Sequence, residues 1–529
     1  MKESEPVPTM NPRTELSIEN IEILPCDINA AFDRLEKNTS PGPDDILSVT
    51  LLEVRFILAP ILLTLFSKFL TESYVPKSWR LANVTPIFKS GDKVDPNNYR
   101  GISLTCLMGK MLEYIIKEKV TQFLIKNKLI SNVQDGFLKG RSCLTSHLKF
   151  YNQIYNWVDL GRPVDILYLD YKKAFDLVVH SRLIVKLRAY GIGGCLINWI
   201  ISWLYRRKQR VVYGGDTSSW STVESGVMQG TVLGPLLFQI FINDLETDLQ
   251  ALLAIFADDS KIAYTVDSAE DVNVLKTSII NIEKWAEKWQ MTFNVSKCKI
   301  MHVGNNNLKN DYELFGQSIT KVNQINDLGA VISDNLKTSS HWISQVSKSN
   351  KLIGLISRSF EFKNINNILM LYKSLIRPHI EQYTQFLYPY LQTDINRIEK
   401  VQRNVTRLIP NYKFLEYEER LNLTGLQSLE KRRIRTDLIL VYKILNGLTD
   451  MANFNGFEEV NNNTRNNGNK IKSIFKFKKN SYKNFFFNRV PGAWNSLPEN
   501  ITKAHSLATF KKLLDSYMIS NNISYFYSM

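Results

Sequence analysis

The chain has 529 residues, 44 % of them hydrophobic and 11 % aromatic, which is enough apolar material for several domain-sized cores and excludes a disordered protein. Sixty-six Lys+Arg against 51 Asp+Glu leave a net charge of +15, which favours a polyanionic partner, nucleic acid first, over a basic protein with no such ligand. The five cysteines (Cys26, Cys106, Cys143, Cys195, Cys298) are scattered with no Cys-x-x-Cys pair, so neither a disulfide framework nor a closed zinc site is indicated. Cys298 and His302 stand four apart but lack two further ligands. The polar start is no signal peptide, and the longest apolar stretch, Phe56 to Phe66, is too short for a bilayer and contains Pro60. The expectation is a soluble, intracellular protein without a membrane partner.

Residues 1–24 are polar and proline-dotted, a loose tail. Residues 25–160 alternate helical patterns with loops. Ser40-Pro41-Gly42-Pro43 reads as a tight turn before an apolar helix over Leu51 to Leu70. An extended segment, Asn83 to Lys89, follows. Over 161–335 the texture changes to short strands between helices, an α+β arrangement. Asp165 to Asp170 is the first strand, and Ser181 is placed to cap a helix reaching Tyr190. Gly234-Pro235 opens an apolar helix, Leu236 to Leu245. A hairpin around Phe256-Ala257-Asp258-Asp259 comes next, then a helix with Trp285 and Trp289, and a strand-like piece, Met291 to Asn294.

Residues 336–450 are mainly helical, with 3.6-residue apolar spacing over His341 to Phe360, Ile368 to Ile376 and Asp394 to Leu408. In the last of these Arg397, Lys400, Arg403 and Arg407 fall on one face, either a polyanion contact or a solvated surface. The final region, 451–529, begins with an Asn-rich linker, Asn461 to Asn469. No acid occurs from Val460 to Pro498, where Lys470, Lys472, Lys476, Lys478, Lys479, Lys483 and Arg489 interleave with Phe475, Phe477, Tyr482, Phe485, Phe486 and Phe487. Cations mixed with rings suit a single-strand binding surface; the plainer reading is an amphipathic strand pair with buried rings.

Two strand ends carry acids: Ile166-Leu167-Tyr168-Leu169-Asp170, and the hairpin tip with Asp258 and Asp259. One single and one paired aspartate are what a two-metal phosphoryl-transfer site needs, since two divalent cations about 3.5–4 Å apart require hard oxygen ligands. A lone Asp-Asp is commonplace, so the surroundings decide. Read in order, Trp79 to Thr105, Gln134 to Leu148, Asp165 to His180, Ser225 to Leu245, Ile255 to Ala263, Phe293 to Lys297, Asp327-Leu328-Gly329, Leu375 to Leu408 and Trp494 to Pro498 resemble the reverse transcriptases of non-LTR retrotransposons, particularly the jockey-like group. The ordered set covers nearly the whole chain from Asn38 onward.

The resemblance implies a right-hand polymerase fold. Residues 25–160 would be the fingers, 161–335 a palm with an antiparallel sheet, 336–450 a helical thumb, and 451–529 a linker and basic C-terminal region. It implies an RNA-directed DNA polymerase with an RNA template, a DNA primer and deoxynucleoside triphosphates as partners. Asp170, Asp258 and Asp259 would be the catalytic carboxylates that hold two Mg²⁺ ions (or Mn²⁺), and Lys297 a general acid for pyrophosphate. Phe175 would lie under the incoming sugar and exclude a 2′-hydroxyl. Gln229 and Gly230 would line the nucleotide pocket, Lys89 and Arg100 would grip the triphosphate, and Arg397, Lys400, Arg403 and Arg407 would face the duplex.

Met228, Val179 and Gly101 occupy places where the family often has proline, Asp45 one where glycine is usual, and Gln382 one usually held by tyrosine. The polymerase pattern begins near Met1 with no preceding endonuclease, so the expectation is the polymerase half of an element. A nuclear location follows from the resemblance alone. The alternatives are a non-catalytic nucleic-acid-binding remnant and, further off, a group II intron-type maturase.

Overall fold

The computed structural model describes residues 6–451, 454, 456–460 and 470–520. The Asn461 to Asn469 linker lies outside the described residues. The protein is a mixed α+β structure built on one central sheet. Strand Val164–Leu169 occupies its middle, flanked by Asp259–Thr265 and Lys299–Val303, both antiparallel to it. Leu252–Phe256 extends the sheet antiparallel on one side, and the two-residue strand Thr320–Lys321 runs parallel on the other.

Period-two alternation divides this sheet's side chains between two cores. Leu167, Leu169, Leu253, Ile255, Ile262 and Ile300 face a first core shared with helices Pro25–Asp33, Leu107–Lys126, Gly194–Leu204 and Gly234–Ile242. Val164, Ile166, Tyr168, Ala254, Ala263 and Met301 face a second, filled by helix Cys143–Asp159 and the helices beyond residue 338. The sheet is therefore a wall buried on both sides, which explains why Val164–Leu169 is apolar almost throughout. Among the described residues no helix is long and apolar enough to cross a membrane.

A second sheet joins the hairpin of Leu81–Phe88 and Tyr99–Leu104 to strand Arg207–Tyr213, parallel to the first of the two. Beyond the central sheet a short hairpin, Gln324–Asp327 with Ala330–Ser333, leads into helix Ser339–Ser359.

Several expectations are corrected. Residues 6–24 are no loose tail: Arg13 and Ile18 donate backbone hydrogen bonds to the carbonyls of Ala189 and Gly191, and Ile18 and Glu19 accept from Gly193 and Leu196. The apolar helix over 51–70 breaks at Val54 into Ser48–Glu53 and Arg55–Thr71. Helix His180–Ala189 starts after Val179, which places Ser181 inside its first turn rather than at its cap. Met291–Asn294 forms only a single bridge, Phe293 with Tyr171. Helix Cys143–Asp159, expected with the N-terminal region, buries Leu148, Tyr151 and Ile154 in the second core against the central sheet.

The basic-aromatic block is also corrected. Tyr482, Phe486 and Phe487, on helices Asn480–Lys483 and Phe486–Asn495, and Phe485 at the cap between them are buried within the second core, and Phe475 is half-buried; only Phe477 of the six rings is exposed. Arg489 is buried too, in a bidentate pair with Asp437 and bonded to the carbonyls of Gln385 and Asn484. The rings serve packing and not as a stacking surface; they are buried and the lysines solvated, as in the plainer reading, but on helices rather than a strand pair.

Candidate active site

Pairing within the central sheet brings the acids together. Leu169 lies opposite Ser260, which sets Asp170 alongside Asp259, and Phe256 opposite Asp259 closes a hairpin with Ala257 and Asp258 at its tip. Ala257 turns the chain with φ +57°. The tip is braced from outside by Gln134-Asp135-Gly136. The Asp135 N–H donates to the Ile255 carbonyl, the Ile255 N–H donates to the Val133 carbonyl, and Gln134 Oε1 accepts from the Gly136 N–H at 2.8 Å. A Cβ on Gly136 would stand 2.3 Å from the Ala257 nitrogen, so only glycine permits this approach.

Asp170 is held through its backbone: its carbonyl accepts from Asn294 N–H at 2.7 Å, and its N–H points to Cys298 Sγ at 3.4 Å. The turn Val295–Lys297 then presents Lys297 to the same cleft. His302 has a different role: its Nδ1 lies 2.7 Å from Asp165, so Cys298 and His302 belong to the sheet's packing and not to a zinc site. The cleft, about 340 Å³, is lined by Asp170, Asp259, Lys261, Lys297, Asp327 and Leu328, among others. By alternation, Asp170, Asp259 and Lys261 share the sheet face that carries Tyr168 and Ala263.

The electrostatics favour a cation. Desolvation by the protein crowding the cleft, with repulsion from Asp258, Asp327 and Asp170, pushes the Asp259 carboxyl up to about 6, although the residue still reaches solvent. Burial also raises Asp170, with Asp258 adding to it and Lys297 and Lys89 opposing. Among the described residues no three acid, cysteine or histidine groups are close enough to form a ready-made metal cage. The expected trio is thus a neighbourhood of repelling carboxylates. Its hard oxygen donors fit Mg²⁺ in kind, and a cation would offset both the burial that mainly raises the two acids and the repulsion that adds to it.

Of the predicted nucleotide-binding residues, Lys89 is near enough to Asp170 to act on it electrostatically. Ile87 pairs with Arg100, so Arg100 and Lys89, two residues from Ile87, project from one face of the 81–104 hairpin, both exposed. Ser103 N–H donates to the Gln229 carbonyl at 2.8 Å, which docks Gln229-Gly230 on that hairpin. Gly230 has φ +102°, and a Cβ there would meet the Ser103 carbonyl oxygen at 2.5 Å. The loop is anchored from below by buried Glu113, whose carboxylate accepts from Val232 N–H (2.9 Å), Leu233 N–H (3.2 Å) and Trp203 Nε1 (2.9 Å). Phe175 lies in the first core, stacked on Phe238 with centroids 4.4 Å apart and edge-on to exposed Phe137.

On helix Gln392–Arg407, Lys400, Arg403 and Arg407 are exposed. Arg397 is half-buried and paired with Asp394 at 2.5 Å, so the cationic stripe is effectively three residues long. Lys261, Tyr151 and Glu113 stand outside the expected site residues and join the site only through the fold. A lysine two places beyond Asp259 on a strand must share its face and find a partner there, and that was the available signal.

Residues 87–345 match the family model described as reverse transcriptase (RNA-dependent DNA polymerase). The chain is 25 % identical over 398 residues to the probable RNA-directed DNA polymerase from transposon X-element of Drosophila melanogaster, covering 73 % of this chain and 44 % of that protein. It is 25 % identical over 405 residues to the RNA-directed DNA polymerase from mobile element jockey of Drosophila funebris, covering 72 % and 43 %. A retrovirus-related Pol polyprotein from type-1 retrotransposable element R1 of Bradysia coprophila is 25 % identical over 350 residues, covering 63 % and 33 %. The chain spans less than half the length of these curated relatives. The acid-bearing strands, the glycine-dependent loop and the hairpin residues Lys89 and Arg100 all fall inside the matched segment, and residues 87–345 are therefore similar to the reverse transcriptase family, as are the non-LTR retrotransposon polymerases that the chain resembles.

Proposed function

We propose that the protein is an RNA-directed DNA polymerase that adds deoxynucleotides to a primer 3′ end on an RNA template. The observation that carries this reading is the pairing of Leu169 with Ser260 and Phe256 with Asp259, which gathers three aspartates at one end of a buried sheet. In this reading the N-terminal lobe with the 81–104 hairpin acts as fingers, the central sheet as palm and the helices beyond Ser339 as thumb.

Asp170 and Asp258 would hold two Mg²⁺ ions, with Asp259 completing the carboxylate set. The chemistry these ions supply when bound is a lowered pKa of the primer hydroxyl and neutralised charge on the leaving pyrophosphate. Lys89 and Arg100, on one hairpin face, would orient the triphosphate, Arg in a bidentate grip. Lys297 stands near Asp170 and reaches solvent, so it can return a proton to pyrophosphate. Gln229-Gly230 would offer backbone to the nucleotide. Phe175, fixed by its stack on Phe238, would form the unyielding floor that excludes a 2′-hydroxyl. Lys400, Arg403 and Arg407 would touch the backbone of the duplex.

Extension of oligo(dT) on poly(rA) with and without Mg²⁺ tests the proposal. Metal-dependent incorporation of dTTP is expected. Binding without any incorporation would leave the non-catalytic remnant as the correct reading.

A further inference from the structure

Lys261 is almost completely buried, two residues from Asp259 and on the same face of its strand. An ammonium group enclosed so near the reactive centre needs a compensating charge. It finds Asp327, also buried, which accepts from Lys261 Nζ and, at 2.6 Å, from the Tyr151 hydroxyl. The Tyr151 oxygen lies 3.0 Å from that of Tyr168, on the strand that ends in Asp170. The Lys261 ammonium sits 4.8 Å above the rings of Phe150 and Tyr151, and 3.5 Å from His147 Nδ1. Four elements meet here: helix Cys143–Asp159 with the strand that follows it, and, from farther along the chain, strand Asp259–Thr265 and the turn that begins at Asp327.

That turn is tightly specified. Leu328 and Gly329 both take positive φ, +48° and +91°, and the Leu328 carbonyl accepts from the Tyr383 hydroxyl. Asn326, Asp327 and Leu328 line the same cleft as Asp170 and Asp259. An apolar contact would hold the turn against the sheet equally well but would let it slide. A directional, charge-assisted bond fixes its distance from Asp259.

We propose that Lys261 and Asp327 are positioning residues, a buried latch that sets the Asn326–Gly329 turn against the aspartate centre and so fixes the wall of the cleft in which the reacting groups must align. This rests on the polymerase reading above. Neither residue touches reacting atoms; the pair acts through the turn.

The experiment uses the full chain and three variants, Lys261→Met, Asp327→Leu and the double Lys261→Met/Asp327→Leu, each followed by thermal unfolding and by steady-state extension of a DNA primer on RNA. Single variants strand one buried charge and are expected to unfold at lower temperature. The double variant replaces the pair by apolar side chains of similar bulk and is expected to melt near wild type. Its kcat is expected to remain at least tenfold down, with KM for dNTP within twofold. Tyr151→Phe, which removes one bond to Asp327 and no charge, is expected to lower kcat about threefold and covers the case of a double variant that does not fold. A folded double variant, or Tyr151→Phe, with wild-type kcat overturns the latch. Wild-type protein without metal-dependent extension would instead overturn the polymerase reading, so the two failures are distinct.

Discussion

Gly230→Ala tests how the Gln229-Gly230 loop is held. At φ +102° an alanine costs about 1–3 kcal/mol in backbone strain. Its Cβ would also stand 2.5 Å from the Ser103 carbonyl oxygen, so the loop must leave the 99–104 strand. That displacement breaks the 2.8 Å bond from Ser103 N–H to the Gln229 carbonyl, about 1 kcal/mol more. The sum is about 2–4 kcal/mol. Gly161→Ala is the control, because Gly161 has φ +88° but nothing within 4 Å of an added Cβ, so it carries the strain without the clash. Urea unfolding of both variants should show Gly230→Ala the more destabilised by at least ~1 kcal/mol. In primer extension it should raise KM for dNTP about tenfold, equivalent to ~1.4 kcal/mol, while Gly161→Ala leaves KM unchanged. Equal stabilities and equal KM values would refute the docking of this loop on the hairpin.

The buried rings give Phe487→Ala an expected loss of about 3–5 kcal/mol in urea unfolding, with RNA affinity of the folded fraction unchanged. Removing Lys400, Arg403 and Arg407 together by substitution with Gln should lower affinity for an RNA–DNA duplex and flatten its dependence on log salt by roughly 2. His147 is fully enclosed and held neutral, its pKa lowered to about 3 mainly by burial. The unfolded chain binds a proton there below about 6.5 and the folded chain does not, so stability is full above that pH and falls as pH drops toward the folded value. Between pH 7.5 and pH 5 this single group should remove about 2 kcal/mol in urea unfolding, and His147→Phe should flatten that slope.

What could be read directly from the residues was local. The hairpin bearing Asp258 and Asp259 announces itself through apolar runs on both sides of a polar tip, and it folds as such. Strand Val164–Leu169 and helix Gln392–Arg407 lie within two residues of their expected bounds. The misses are cases where a distant partner decides. Alternation says that Phe485 to Phe487 are apolar among lysines, but not whether nucleic acid or protein covers them, and here helices of the second core do. Residues 6–24 look featureless because their hydrogen bonds go to residues 189–196. Asp327 was legible only as part of a motif, since its partner Lys261 lies 66 residues away in sequence.

The central claim is that Asp170 and Asp258 hold the metal ions of a DNA-synthesising centre. Measuring single-nucleotide incorporation into a primer on an RNA template, at saturating Mg²⁺, for Asp170→Asn and Asp258→Asn tests it most directly. Each substitution keeps shape and removes the charge that binds the cation. Incorporation is expected to fall by at least about 10³-fold while the primer–template Kd stays within a few-fold of wild type. Incorporation at the wild-type rate by either variant would contradict it.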